Sequence, residues 1–152
     1  LRMFFEKLRD NKIYLKRSKC VFLQPQIKFL GHIVSADGVT PDPEKVKVIQ
    51  DWKVPTTVKE LQSFLGIMNY YRKFIPNFAL IAVPLTNLLK DNSPWKWDEI
   101  EKKSFEELKK CLIDCVTLKK PDYSKDFMIT TDASDFAMGA VLSQDDKPIA
   151  FF

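Results

Sequence analysis

The stretch TVKELQSFLGIMNYYRKFIP, from Thr57 to Pro76, decides the fold of this chain. It begins with Thr57-x-x-Glu60, the pattern of a capping box, in which the hydroxyl and the carboxylate satisfy helix amide groups that otherwise have no partner. Pro55 and Pro76 mark the two ends, because proline is favoured beside helix termini and disfavoured inside them. The stretch therefore predicts a helix between the two prolines.

The two sides of this predicted helix differ sharply. At 3.6 residues per turn, one broad apolar side is predicted to face the core: Leu61, Phe64, Ile67, Met68, Tyr71, Phe74 and Ile75. The opposite side carries an amide, a glycine and an aromatic ring, with lysines and no carboxylate: Lys59, Gln62, Gly66, Asn69, Tyr70 and Lys73. A glycine inside a helix costs about 1 kcal/mol relative to alanine. We therefore expect a close approach at Gly66, by a nucleic acid or by a neighbouring helix, and the spacing alone favours neither.

The polar side has chemistry suited to a duplex. The Gln62 amide can donate to acceptors at a groove edge, the Tyr70 ring can lie on a sugar, and lysines can face phosphates. The formal charge of +4 over 152 residues fits a polyanionic partner without requiring one. A hydrophobic content of 45% with 12% aromatic residues supports a real core and excludes a disordered chain.

Three blocks of sequence carry a family resemblance. They are FLGHIVSADGVTPDPEKV (29–46), ELQSFLGIMNYYRKFIPNFA (60–79) and TTDASDFAMGAVLSQ (130–144). In this order they resemble the Pol polyprotein of gypsy-like LTR retrotransposons. Within the second block, Gln62-x3-Gly66-x3-Tyr70 resembles the helix that tracks the minor groove in the thumb of retroviral-type reverse transcriptases.

The resemblance implies an α+β protein in three parts. Residues 1–39 would be the end of a reverse transcriptase palm, with a helix and a hairpin that resembles the primer grip. Residues 40–118 would be an all-helical thumb. Residues 119–152 would be a linker followed by the first strands of a truncated ribonuclease H-like domain.

Local patterns predict the individual elements. We expect helices at 1–11 and after Asp42-Pro43, two short helical pieces at 77–90 because Pro84 interrupts them, and a helix after the capping box Asp98-x-x-Glu101. We expect strands at 13–23, 27–34, 127–132 and 138–144, a third strand after a turn at 145–148, and turns at Asp37-Gly38 and 133–135. Residues 91–94 read as a loop, which Trp95 and Trp97 are expected to anchor.

The hairpin contributes candidate binding residues. By resemblance, Phe29, Leu30, Gly31 and His32 belong to the primer grip, which positions the growing 3′ end. Gly31 inside a predicted strand indicates either a close approach by a partner or a β-bulge, and both stay open. His32, the only histidine, is expected to be a partly exposed strand residue and rules out a histidine-based metal cluster or catalytic triad.

A basic run precedes the hairpin within the predicted strand 13–23. Its cations either line a solvated strand edge or contact phosphate, and the sequence leaves both interpretations open: Lys12, Lys16, Arg17 and Lys19.

A single residue carries the predicted metal chemistry. By resemblance, Asp132 is the first of several ribonuclease H carboxylates that hold two Mg²⁺ ions; read alone, it would be a residue at a strand end. Hard divalent cations need clustered oxygen ligands, which one carboxylate does not supply. The resemblance places the other ligands beyond Phe152 and the polymerase Tyr-x-Asp-Asp signature before Leu1. We therefore expect the chain alone to be inactive, with Asp132 as both its catalytic and its metal-binding residue in the parent.

The predicted function follows from these parts. The chain would grip and position a primer-template duplex, either an RNA/DNA hybrid or duplex DNA, for RNA-directed DNA synthesis and RNA strand removal, alongside the rest of Pol. The alternatives are a domesticated, non-catalytic module that binds nucleic acid or protein, an inert copy, and a degenerate connection domain at residues 119–152. Three cysteines form no disulfide framework, and no signal peptide or membrane-spanning run is present. We expect an intracellular, cytoplasmic location in a virus-like particle, with a possible nuclear phase.

Overall fold

The computed structural model describes residues 1–90, 93–133 and 137–152. Its helices are α1 (Arg2–Asp10), α2 (Pro43–Gln50), α3 (Val58–Tyr70), α4 (Phe78–Asn87) and α5 (Glu99–Ile113). Its strands are β1 (Gln26–Phe29), β2 (His32–Ser35), β3 (Val39–Pro41), β4 (Met128–Ala133), β5 (Met138–Gln144) and β6 (Lys147–Phe151). The described residues form two antiparallel three-stranded sheets, ordered β1-β2-β3 and β4-β5-β6. The mixture of helix and sheet confirms the predicted α+β class.

The hydrophobic core lies among α2, α3, α4 and α5, which we call the helical unit. Phe64 of α3 is fully buried, and its ring centroid lies 4.5 Å from that of Phe105 in α5. Trp97, stacked on Trp95, meets the edge of Phe105 and so anchors the segment before α5, as predicted. Burial of the Phe64 and Phe105 rings together with the aliphatic side chains of the core stabilises the packing of the helices.

Helix α3 begins where its sequence predicts and ends earlier. The Thr57 hydroxyl accepts from the Glu60 amide at 3.2 Å, while the Glu60 carboxylate reaches back to the Thr56 amide at 2.8 Å. After Tyr70 the chain continues as a short 3₁₀ turn, Arg72–Phe74, so the helix does not extend to Pro76. The turn still buries Phe74 in the core.

The other helix starts are as predicted, but the break at Pro84 is not. Asp42 caps α2 by accepting from the Glu44 amide at 3.1 Å, and Glu101 accepts from the Asp98 amide at 3.0 Å. The prediction of two pieces at 77–90 is wrong, since α4 runs as one helix through Pro84. Proline removes one backbone hydrogen bond, and burial of the apolar side of α4 offsets that loss.

The predicted strand at 13–23 is also wrong. This segment is irregular apart from a 3₁₀ turn at Arg17–Lys19, and Lys12 and Leu23 have positive φ angles of 56° and 53°. A strand needs a partner for its backbone groups, and the described residues offer none here. The basic run is therefore not part of a sheet edge.

The predicted strand at 27–34 is a hairpin. Strand β1 ends at Phe29, β2 begins at His32, and these two residues pair, which leaves Leu30-Gly31 as a two-residue turn. Gly31 is thus in a turn, and neither a strand interior nor a bulge describes it. The predicted turn at Asp37-Gly38 is confirmed between β2 and β3, where Val34 pairs with Val39.

The second sheet confirms the three predicted strands, but β6 begins at Lys147, inside the turn predicted at 145–148, so that turn is shorter than predicted. In β4 and β5, Asp132 pairs with Gly139. The turn predicted at 133–135 falls largely on Ser134 and Asp135, and the loop at 91–94 includes Asp91 and Asn92; these four lie outside the described residues.

One backbone bridge joins the segments on either side of the helical unit. The Val39 amide donates to the Leu118 carbonyl at 2.8 Å, and the Leu118 amide donates back at 3.0 Å. The next amide, Lys119, donates to Pro148 of β6 at 2.8 Å. Both sheets are therefore tied to the helical unit close to one point.

Candidate nucleic-acid interface

The polar side of α3 is open to solvent. Gln62, Gly66 and Asn69 are exposed, and Tyr70 is about half exposed. A Cβ atom at Gly66 would meet no atom of the described chain within 4 Å. The neighbouring-helix interpretation of Gly66 therefore fails for the described residues, and the glycine leaves free space on an accessible surface.

The hairpin turn is strained and apolar at its tip. Leu30 and Gly31 have φ angles of 46° and 71°, as a tight two-residue hairpin turn with two positive φ angles requires. Glycine adopts this conformation freely, whereas leucine does so at a cost. Phe29 and Leu30 are nonetheless 59% and 70% exposed, so the turn presents two apolar side chains to solvent.

The C-terminal end of α3 holds this turn. The Tyr70 hydroxyl donates to the Leu30 carbonyl, and the Tyr71 hydroxyl donates to the Gly31 carbonyl at 3.0 Å. These bonds join residues 40 positions apart. The turn Leu30-Gly31 therefore lies beside Tyr70 of α3, although 40 positions separate them in the sequence.

His32 is buried beneath this surface rather than partly exposed, which corrects the prediction. It is 8% exposed, and its ring lies 5.4 Å from that of Tyr70 and 5.5 Å from those of Tyr71 and Phe74. Its Nδ1 lies 2.7 Å from the Leu30 carbonyl, an acceptor only, so Nδ1 carries the proton. Burial and, next, the positive charge of Lys73 lower the pKa of His32, which keeps the ring neutral near pH 7.

Lys73 lies at the rim of a shallow depression beside the hairpin. The depression has a volume of about 410 Å³, and Phe29, Leu30 and Tyr70 also line it. The Lys73 ammonium lies 5.1 Å from the centre of the Phe74 ring, and partial burial lowers its pKa. An apolar floor with a cation at its edge suits a sugar or base beside a phosphate.

Tyr71 is the residue that sequence reasoning missed. Helical periodicity placed it on the apolar side of α3, and it is indeed only 2% exposed. Its hydroxyl nevertheless contacts the hairpin. The available signal was its identity, because a buried tyrosine hydroxyl needs a hydrogen-bond partner that phenylalanine would not need.

Asp132 lies apart from these residues in sequence, on an exposed part of β4. It lines a small cavity of about 70 Å³ together with Asn77 of the helical unit and Gly139. Among the described residues, no three His, Cys, Asp or Glu side chains lie together where they could hold a metal ion. Asp132 alone does not fit a two-metal centre, and no reaction step follows from it here.

A membrane-spanning helix is not among the elements of the described chain, since none is both long and apolar enough.

Known proteins that resemble this chain are parts of reverse transcriptases and retrotransposon polyproteins. Residues 97–152 match the family described as the RNase H-like domain found in reverse transcriptase. The Retrovirus-related Pol polyprotein from transposon 297 of Drosophila melanogaster is 47% identical over 152 residues, which is 99% of this chain and 14% of that protein. The chain is similar to one segment of the retrotransposon Pol polyproteins.

A second retrotransposon polyprotein is similar over nearly the same part of this chain. The Transposon Tf2-3 polyprotein of Schizosaccharomyces pombe is 42% identical over 97% of this chain and 11% of its own length. The chain thus spans about one seventh or less of those two relatives.

Solved structures share its fold. The foamy viral protease-reverse transcriptase in complex with dsDNA matches 89% of this chain and 29% of its own, with a TM-score of 0.78 and 29% identity. The same type of protein in complex with an RNA/DNA hybrid matches 88% of this chain and 19% of its own, with a TM-score of 0.77 and 30% identity.

Proposed function

We propose that this Pol segment grips a primer-template duplex and positions it for RNA-directed DNA synthesis and RNA strand removal. The observation that carries the proposal is the continuous surface formed by the open side of α3 at Gly66 and the turn Leu30-Gly31, with Tyr70 between them. The foamy viral proteins of similar fold, solved with dsDNA and with an RNA/DNA hybrid, support both kinds of duplex as partners.

In this proposal the parts have distinct roles. Residues 1–39 are the end of the palm and include the primer-grip-like hairpin; residues 40–118 are the thumb; residues 119–152 begin the ribonuclease H-like domain. Helix α3 lies along the minor groove, where Gly66 lets the helix backbone approach the duplex. Gln62 and Asn69 meet groove edges, and Lys73 meets a phosphate. Since the minor groove offers a degenerate code, binding shows little sequence preference and depends on salt.

The chemistry belongs to the parent protein in this proposal. Asp132 would contribute one carboxylate to a Mg²⁺ site that other residues of Pol complete, and water activation is the chemistry that Mg²⁺ held there would supply. The isolated chain would neither polymerise nor cleave. The location proposed for the parent is the cytoplasm, in a virus-like particle with a possible nuclear phase.

The decisive experiment changes Gly66→Leu. Because space at Gly66 is open, leucine should fold well and, as the better helix former, leave stability equal or up to about 1 kcal/mol higher. Its side chain should hold the duplex away from α3, so affinity for a labelled hybrid, measured by fluorescence anisotropy, should fall at least about tenfold. In the parent, products should become shorter.

The matched control is Thr86→Leu, which places the same side chain at an exposed, uncharged position of α4 away from the proposed surface. This variant should bind like the unmodified chain. Equal affinity of the Gly66→Leu variant and the unmodified chain would contradict the proposal. A chain that binds no duplex but retains protein partners would favour the domesticated alternative.

A second experiment tests Asp132 in the parent. Asp132→Asn preserves size and removes the charge that a hard cation needs, so hybrid-strand cleavage should fall by orders of magnitude while primer extension persists. Asp126→Asn, at an exposed position just before β4, is the control and should cleave normally. Cleavage that survives in the Asp132 variant would indicate a degenerate connection domain or a wrong ligand assignment.

A further inference from the structure

The tip of the hairpin carries a residue that neither its turn nor its solvent exposure explains. Leu30 has a φ angle of 46°, a region where glycine, asparagine and aspartate are the favoured residues. Its side chain is also apolar and mostly exposed. A strained residue persists only where its surroundings fix its conformation, and such residues cluster at functional sites.

Four donors fix the two carbonyl groups of this turn. The Leu30 carbonyl accepts from the Tyr70 hydroxyl and from His32 Nδ1. The Gly31 carbonyl accepts from the Tyr71 hydroxyl at 3.0 Å and from the Asp42 amide at 3.0 Å. His32 lies in β2 and Asp42 directly after β3, whereas the two tyrosines lie at the end of α3. The tyrosine pair is therefore the link between the turn and the helix.

The fit at Gly31 is close. A Cβ atom there would lie 2.8 Å from the Tyr71 hydroxyl oxygen, whereas its next contacts, with Tyr70 and with the Tyr71 ring, are ordinary at 3.8 and 3.9 Å. The hydroxyl oxygen alone thus occupies the space that the glycine leaves. This contact can therefore be tested by removing only the Tyr71 hydroxyl oxygen.

We propose that Tyr71 is a positioning residue, which fixes the Leu30-Gly31 turn against the end of α3 so that both surfaces meet a duplex as one rigid body. This inference rests on the proposed function. Tyr71 is buried and does not itself touch the duplex. Tyr71 would act by fixing the position of the turn relative to α3. Two surfaces that are already fixed relative to each other bind the same ligand more tightly than two surfaces that must be ordered on binding.

The direct test is Tyr71→Phe in this chain, with Tyr14→Phe at an exposed position as the control. Affinity for a labelled RNA/DNA hybrid should fall several-fold in the Tyr71 variant and stay unchanged in the Tyr14 variant. The melting temperature should change little, because Gly31 keeps the Asp42 amide as a donor. NMR signals of Leu30 and Gly31 should report increased motion of the turn.

A double-mutant cycle separates positioning from general packing. Gly31→Ala should lower the melting temperature of the unmodified chain, through its positive φ and its clash with the hydroxyl oxygen. In the Tyr71→Phe background the clash is absent, so the same alanine should cost less. Equal costs in the two backgrounds would overturn the contact.

The outcomes distinguish the two proposals. If the unmodified chain binds no duplex, the proposed function fails and the positioning role falls with it. If the unmodified chain binds and the Tyr71→Phe variant binds equally well with an immobile turn, only the positioning role fails. The positioning role is supported if the Tyr71→Phe variant loses affinity, its turn moves more, and Gly31→Ala lowers the melting temperature less in that variant than in the unmodified chain.

Discussion

The helical unit and the first 30 residues differ in how their apolar residues are used. Both contain an amphipathic helix with aromatic residues, α3 in one and α1 in the other. Phe64 of α3 is fully buried, but Phe5 of α1 is 43% exposed, and none of residues 1–30, all of them described, is buried. An amphipathic pattern thus predicts a helix in both regions, whereas burial requires a facing surface, which α3 finds among the described residues and α1 does not.

The largest expected effect contrasts the two phenylalanines. Phe64→Ala should lower the free energy of unfolding by about 3–5 kcal/mol, because it leaves a cavity against Phe105 and Trp52. Phe5→Ala should cost about 1 kcal/mol or less, since its ring is partly solvated and meets mainly Phe4 and Phe22. Urea denaturation of both variants measures the difference. Similar losses would mean that the two regions share one core.

The next effect concerns the contact between the first sheet and Leu118, the point at which the hairpin segment meets the end of the helical unit. Gly38 has a φ of 149°, and a Cβ atom there would lie 2.2 Å from the Leu118 carbonyl oxygen. Gly38→Ala should therefore push Val39 away from Leu118 and destabilise the chain by about 1–3 kcal/mol. Gly139→Ala, whose nearest contact is the Asn77 side chain at 3.3 Å, is the matched control and should cost less. A larger loss of unfolding free energy for Gly139→Ala than for Gly38→Ala would mean that close packing at the Val39–Leu118 bridge is not the more important contact.

A smaller effect depends on pH and concerns His32, which lies next to the hairpin turn. The folded chain lowers the pKa of His32, so the unfolded chain takes up a proton more readily. Stability should be fully present above the ordinary histidine pKa of 6.5 and decline as the pH falls below it. His32→Asn, which keeps a donor for Leu30, should flatten this decline. As the chain has one histidine, a single NMR titration curve gives its pKa directly, and a value above 6.5 would contradict the prediction.

Much of the fold could be predicted from local chemistry. The starts of α2, α3 and α5 follow from Asp42, Thr57 and Asp98, because caps act within one turn of the chain. Strand β5 has the predicted bounds, since its run of β-forming residues is bounded by clear breaks in the pattern. For the binding surface, the exposed side of α3 could be predicted from helical periodicity alone.

The rest depended on tertiary contacts. The run FLGH reads as a continuous strand because leucine rarely occupies a turn with positive φ. The donors that stabilise Leu30 in the turn are Tyr70, which is 40 positions away in the sequence, and His32, whose ring is placed by the folded core. Pro84 reads as a break because its neighbours on the buried side of α4 cannot be seen from local sequence. Tyr71 reads as core, which is correct for its ring and incomplete for its hydroxyl.

The bridge between Val39 and Leu118 has a consequence for how such a protein can change. It brings the two ends of the segment 40–117 together, because the backbones of Val39 and Leu118 are joined by hydrogen bonds of 2.8 and 3.0 Å. Segments whose ends lie together can be lengthened, shortened or exchanged without moving what comes before and after them. Within the helical unit, the loops between helices can therefore vary in length, provided that the end of α3 keeps its tyrosine contacts with the hairpin turn.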